Sequence, residues 1–454
     1  MPSWSVVPCN PTAPPTQNIF PTHVPNEIIR EILQATRGSR LRGDVVPPPW
    51  PVSQVCHLLR NIALGFPLLW TDIHLTNLGN ESTFKALTLQ LERAKKYPLR
   101  VFLRHISSAP PGRAEKIAEL LATTASRWQE ATLIIRPTLL LNFMHIKGNL
   151  GALEYLHIET SPRVPVHNLF SPAPALHTFS VAHGTVGYFI AQVPFPQLKV
   201  LCGIYDQHFY DRILARVLHL EDLRLAAPVG IMLHVDRPRI CLPDLHRLSV
   251  PSMHFLATVL LPSLQELTLL STDGVQHFVS FMQISPSPTI NKLILTDTSI
   301  YDIHDLRIIL ATSTVTTSLT MCFSLGNCDN LLDALEVRQR DSLLSCLAPS
   351  VSELIIVFDD SIVRDGCRDP EQLLTMIESR LDPEGKNGDA CVALRSLHIT
   401  EQGLRPPYKY KLIRLQTKYN FELVFLHFTY TQWIHSEDRV WESPLHKDPI
   451  HVMH

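Results

Sequence analysis

What this chain lacks narrows its class first. No apolar run approaches the roughly 20 residues that a bilayer-spanning helix needs. The longest, Thr132–Ile135 and Thr138–Phe143, are strand-sized, so no membrane is expected. Neither sign of charge dominates: 40 Lys and Arg stand against 42 Asp and Glu, a formal net of −2. That balance recommends no nucleic-acid or anionic-lipid partner. Paired cysteine spacing is missing too. Of nine cysteines, Cys56, Cys202, Cys241 and Cys322 fall within or beside apolar phrases, as reduced core cysteines do inside cells. Catalytic signatures are equally absent: no Cys-x-x-Cys, no His-x-x-x-His with a neighbouring glutamate, no Gly-x-Ser-x-Gly, phosphate loop or dinucleotide fingerprint. The proline-rich start, Met1 to Thr16, has no basic-then-apolar order, so export is not expected. The expectation is a cytoplasmic or nuclear protein that is not an enzyme and carries no cofactor and no metal.

What the chain has in abundance is one short apolar phrase. It reads Leu153-x-x-Leu156-x-Ile158, Leu176-x-x-Phe179-x-Val181 and Leu198-x-x-Leu201. It continues at Leu220-x-x-Leu223-x-Leu225, Leu245-x-x-Leu248-x-Val250, Leu264-x-x-Leu267-x-Leu269 and Ile290-x-x-Leu293-x-Leu295. Starts lie 23, 22, 22, 25, 19 and 26 residues apart. A period in the twenties marks a leucine-rich-repeat solenoid, each unit giving one strand and a return segment. Such proteins bind partners along a curved face and usually lack an active site. A proline precedes the first apolar residue by two positions at Pro174, Pro196, Pro243, Pro262, Pro288 and Pro349. Proline cannot donate to a sheet and fixes its own φ, which suits a bend feeding a strand.

Along the chain, residues 1–20 read as an unstructured leader and 21–75 as a small helical domain. Residues 76–430 read as the solenoid and 431–454 as a His-rich tail. Within the helical domain, Ile28, Ile29, Ile32 and Leu33 form one apolar stripe, with Pro25 and Glu27 suited to the first turn. Val52 to Leu64 returns to helical spacing, with Val55, Leu58, Leu59, Ile62 and Ala63 on one face, and Leu68-Leu69-Trp70 leads into a first strand at Ile73-His74-Leu75. Trp128-x-x-Ala131-x-Leu133 is an early rung. Later rungs at Thr316, Val351 and Leu394 follow 26, 35 and 43 residues after their predecessors, with helical inserts expected at Leu331–Leu347 and Pro370–Leu381. Phe421–Phe428 reads as a last strand. The fold class expected is α/β.

The segment Val24-Pro25-x-Glu27-Ile28-Ile29-x-x-Ile32-Leu33 is followed by Val52-Ser53-Gln54-Val55-Cys56, then Arg60-Asn61-Ile62-Ala63-Leu64-x-x-Pro67-x-Leu69-Trp70. This order resembles the F-box, most closely the fungal F-box-like family. That family's motif runs Leu-Pro-x-Glu, Val-Cys-x-x-Trp-Arg-x-Ile-Ala and a Pro-x-Leu-Trp ending. Val24 stands where the family prefers leucine, and Leu59 where it usually has tryptophan. The resemblance implies a substrate receptor of a cullin–RING ubiquitin ligase. The helices would dock on a Skp-type adaptor, and through it on a cullin, while the repeats hold a target protein. By position, Pro25, Ile28, Ile29, Ile32, Val55 and Leu58 would contact the adaptor. The alternative is a repeat scaffold whose first helices only cap its apolar end. Exposure of Ile28, Ile32 and Leu58 separates the two. Cys56 and Trp70 read as internal packing.

Other clusters read as structure. Cys322 and Cys328 lack a second pair, and Asp359, Asp360 and Asp365 lack a calcium-loop order. His435, His446, His451 and His454 sit in the tail. Lys95, Lys96, Arg100 and Arg104 fit a solvated helix end and strand face.

Overall fold

A computed structural model describes residues 24–37, 50–105 save 77, 112–160, 169–181, 193–204, 213–226, 239–296 save 272 and 285–288, 303–323, 335–358 save 336, 337, 341, 342 and 346, 370–381, and 391–426 save 401–403 and 405. The expected leader, the tail and the Asp359–Asp365 cluster lie outside the described residues.

The fold is α/β, built on one parallel sheet of 14 strands. It begins with β1 (Asp72–Leu75), β2 (Leu99–His105) and β3 (Trp128–Ile135) and ends with Glu422–Leu426. Neighbours in this sheet follow one another along the chain. Side chains alternate across a strand, so pairing in register stacks every second residue into a column. The middle residue of each phrase meets its counterpart: Leu156 opposite Phe179, Leu201 opposite Leu223, Leu248 opposite Leu267, Leu293 opposite Leu319, and Leu354 opposite Leu397. The column runs back through Ala131 and Val101 to Ile73. Every member from Ile73 to Leu397 is buried. Each large side chain so buried contributes about 1.5–3 kcal/mol.

The prolines find their reason in the bend before each strand. The amide of Leu176 donates to the Ala173 carbonyl at 3.1 Å, that of Leu198 to Phe195 at 3.1 Å, and that of Leu245 to Leu242 at 3.4 Å. Leu264 and Val351 repeat the pattern to Leu261 and Ala348. Pro174, Pro196, Pro243, Pro262 and Pro349 thus occupy the second position of a four-residue turn, where a fixed φ is preset and no amide is needed. Directly after the turn, two successive amides converge on one carbonyl of the preceding rung; Lys199 and Val200 both donate to His177. Where Thr316 opens a phrase in place of leucine, its hydroxyl donates to the Ile290 carbonyl at 3.0 Å, which satisfies the buried oxygen.

Three expectations need correction. Within Leu331–Leu347, Leu335 is helical, but Arg338–Arg340 and Leu343–Ser345 pair as an antiparallel hairpin. Arg380, buried in the helix Pro370–Leu381, donates to the carbonyls of Leu335, Leu347 and Ala348 and holds that segment in place. Burial lowers its guanidinium pKa to about 10. Second, Val52–Leu64 is split into two helices at Cys56. Third, the cysteines are not uniformly core thiols: Cys202 and Cys322 are buried thiols, Cys56 is half-buried, Cys241 is exposed, and Cys391 is disulfide-bonded. Among the described residues, no helix is long and apolar enough to cross a membrane.

Candidate docking face on the N-terminal helices

Three helices precede the sheet: α1 (Asn26–Arg37), α2 (Trp50–Val55) and α3 (His57–Gly65). The Pro25 carbonyl accepts the amides of Ile28 and Ile29 at 3.1 and 3.2 Å, starting α1, and Glu27 sits where the helix dipole favours an anion. Cys56 is extended, and its Sγ accepts the Leu59 amide at 3.5 Å, so it ends α2 and caps α3. Arg60 Nε donates to the Ser53 carbonyl at 2.8 Å and ties the two short helices together.

A tight turn, Pro67–Trp70, joins this unit to β1. Trp70 is fully buried, and its indole N–H donates to the Ala63 carbonyl at 2.8 Å, satisfying the last turn of α3. From α4 (Glu81–Ala94), Gln90 donates to the carbonyls of Trp70 and Asp72 at 3.3 and 2.8 Å. α1 and α3 both pack on the turn that leads into β1, and Leu59, Ile62 and Ala63 belong to the same continuous core as Ile73.

The opposite faces are bare. Ile28 is 45% exposed, Ile32 56%, Val55 63% and Leu58 44%, and Pro25 is exposed as well. Ile29 departs from expectation. It is 7% exposed and belongs with Leu33 to the inward stripe, because residues four apart share a helix face and theirs is the one turned to the core. Five of the six expected contact residues are thus exposed, and Ile29 is not. Leu64 on α3 is also exposed and was not among the expected contact residues. The single face expected for Val55, Leu58, Leu59, Ile62 and Ala63 is divided instead: Leu59, Ile62 and Ala63 are buried while Val55 and Leu58 are exposed.

Elsewhere among the described residues, ion pairs link neighbouring strands. Arg100 lies 3.6 Å from Asp72 and 3.8 Å from Glu130 on neighbouring strands, and Lys292 lies 3.5 Å from Glu266. The buried carboxylate of Asp222 takes a bidentate bond from Arg224, with Arg247 at 3.7 Å. His157 Nδ1 meets Ser180 Oγ at 2.9 Å, a base–nucleophile spacing, but both side chains are buried. Burial lowers the His157 pKa to about 4, so it stays neutral near pH 7. A cavity of about 530 Å³ beside the helix Arg113–Ala122 is lined by Glu119, Thr123, His145 and Asn149 among others, with no convergent apolar lining. Among the described residues, no group of three or more His, Cys, Asp or Glu is placed to hold a metal ion. No protein-family model matches the chain, and no curated protein matches it.

Proposed function

We propose that this chain is a substrate receptor of a cullin–RING ubiquitin ligase, an F-box-like protein whose helices dock on a Skp-type adaptor while leucine-rich repeats hold a target protein. The observation that carries this reading is the two-faced N-terminal unit: Ile29, Leu33, Leu59 and Ile62 turn inward while Ile28, Ile32, Val55 and Leu58 stay open. A cap needs only the inward face. The outward face costs solvation and gains nothing in the isolated chain, so it supports a partner. The sheet, with its neighbours in sequence order and its phrases in register, supports the repeat reading, and its mixed charges suit a protein target better than a polyanion. Under this reading the chain acts by holding two proteins together and performs no chemistry itself. A cytoplasmic or nuclear site is part of the proposal, and the disulfide at Cys391 runs against it.

The test is a double substitution, Ile28→Asp with Ile32→Asp, assayed by co-purification with a Skp-type adaptor. Adaptor capture is expected to be lost, with the thermal midpoint within about 2 °C of the parent, because exposed positions carry little stability. Retained capture would sink the docking reading. A fall of more than about 8 °C would show that these side chains serve the cap instead.

A further inference from the structure

The open face of the helical unit is useful only if its orientation is fixed, and one side chain outside that unit is built to fix it. Arg93 lies in the last turn of α4. Its guanidinium sits 4.3 Å from the ring centroid of Trp70 and 4.6 Å from that of Trp50. The two indoles meet edge to face, their centroids 5.0 Å apart and their planes at 84°. Among the described residues Arg93 has no carboxylate at ion-pair distance, so its charge is met by two π faces. Three residues earlier on the same helix face, Gln90 holds the backbone around Trp70. Trp50 is the first residue of α2, and the Ser53 hydroxyl donates to its carbonyl at 2.8 Å.

We propose that Arg93 is a positioning residue: by gripping Trp50 and Trp70 at once, it presets the pose of α2 and α3, and with them Val55 and Leu58, for the adaptor. The proposal rests on the docking reading above for its purpose, but the clamp is testable without it. At its C-terminal end α2 is already fastened to α3 by the Arg60–Ser53 bond. At its N-terminal end, among the described residues, the fastening is the Trp50 stack. A planar guanidinium lies flat on one ring while meeting another; a lysine ammonium is a point charge that cannot do both. Loss of Arg93 frees the start of α2 while the sheet below keeps its own pairing.

The experiment compares the full-length parent, Arg93→Leu and Arg93→Lys by hydrogen exchange, thermal midpoint and binding to a purified Skp-type adaptor. In Arg93→Leu, amides of residues 50–65 are expected to exchange at least tenfold faster while those from β3 onward keep their rates. The adaptor should bind at least tenfold more weakly, and Arg93→Lys should fall between the two on both readouts. Unchanged exchange over 50–65 would overturn the clamp, whatever the adaptor does. Faster exchange throughout the sheet, with a lower midpoint, would overturn it as well, since Arg93 would then be general packing. Should the parent fail to bind the adaptor, the docking reading falls, and the exchange pattern alone decides the clamp.

Discussion

Burial has set the protonation state of His157, and that makes stability depend on pH. Its folded pKa is lowered to about 4 by desolvation, whereas the unfolded chain titrates near 6.5. Between those values the unfolded chain holds a proton that the folded chain refuses, so stability falls as pH drops below about 6.5 and is flat above it. The single group costs about 2 kcal/mol at pH 5 relative to pH 7.5. His74, His105 and His277 shift in the same direction, also by burial first. Denaturant titrations at the two pH values are expected to show a smaller loss in His157→Gln than in the parent; an equal loss would place the effect elsewhere. At this scale the sequence was only partly legible. The stripe of Ile28, Ile29, Ile32 and Leu33 was plain, but two adjacent faces of one helix are both apolar, and only tertiary packing decides which turns inward. Arg380 gave no signal at all. An arginine inside an amphipathic helix reads as solvated until the three carbonyls around it are placed.

Turns decide how each strand is entered. Because Pro243 and Pro262 occupy the second position of their turns, they restrict the unfolded chain without straining the folded one. Pro243→Ala and Pro262→Ala are each expected to lower unfolding free energy by about 0.4–1 kcal/mol, read from urea midpoints with unchanged slope. No loss would mean that the bend is set by the neighbouring strands alone. Strands were the most legible elements, since an apolar phrase at a steady period carries both the strand and its register. The hairpin at Arg338–Ser345 was not legible. Leucines there recur at intervals compatible with a helix, and a short apolar pattern cannot choose between the two periods. The break at Cys56 was hidden for a related reason: a cysteine as cap leaves no mark in an otherwise unbroken helical stripe.

Seen whole, the molecule is a sheet whose spatial order repeats its chain order, which the phrase spacing made visible from sequence alone. The open face of the helices was legible only in outline, because exposure depends on what the first rung leaves uncovered. The strand order has a mechanical consequence. A tether pulled from both ends does not have to break the body at one stroke; it can draw off one loop at a time, as yarn leaves a skein. Each loop in the regular stretch would release 19 to 26 residues of slack, about 6–9 nm at full extension. The wide loops of 35 and 43 residues would release about 12–15 nm. Single-molecule force traces are expected to show a train of small, similar peaks with two longer steps, and one large rupture freeing the whole length would contradict it.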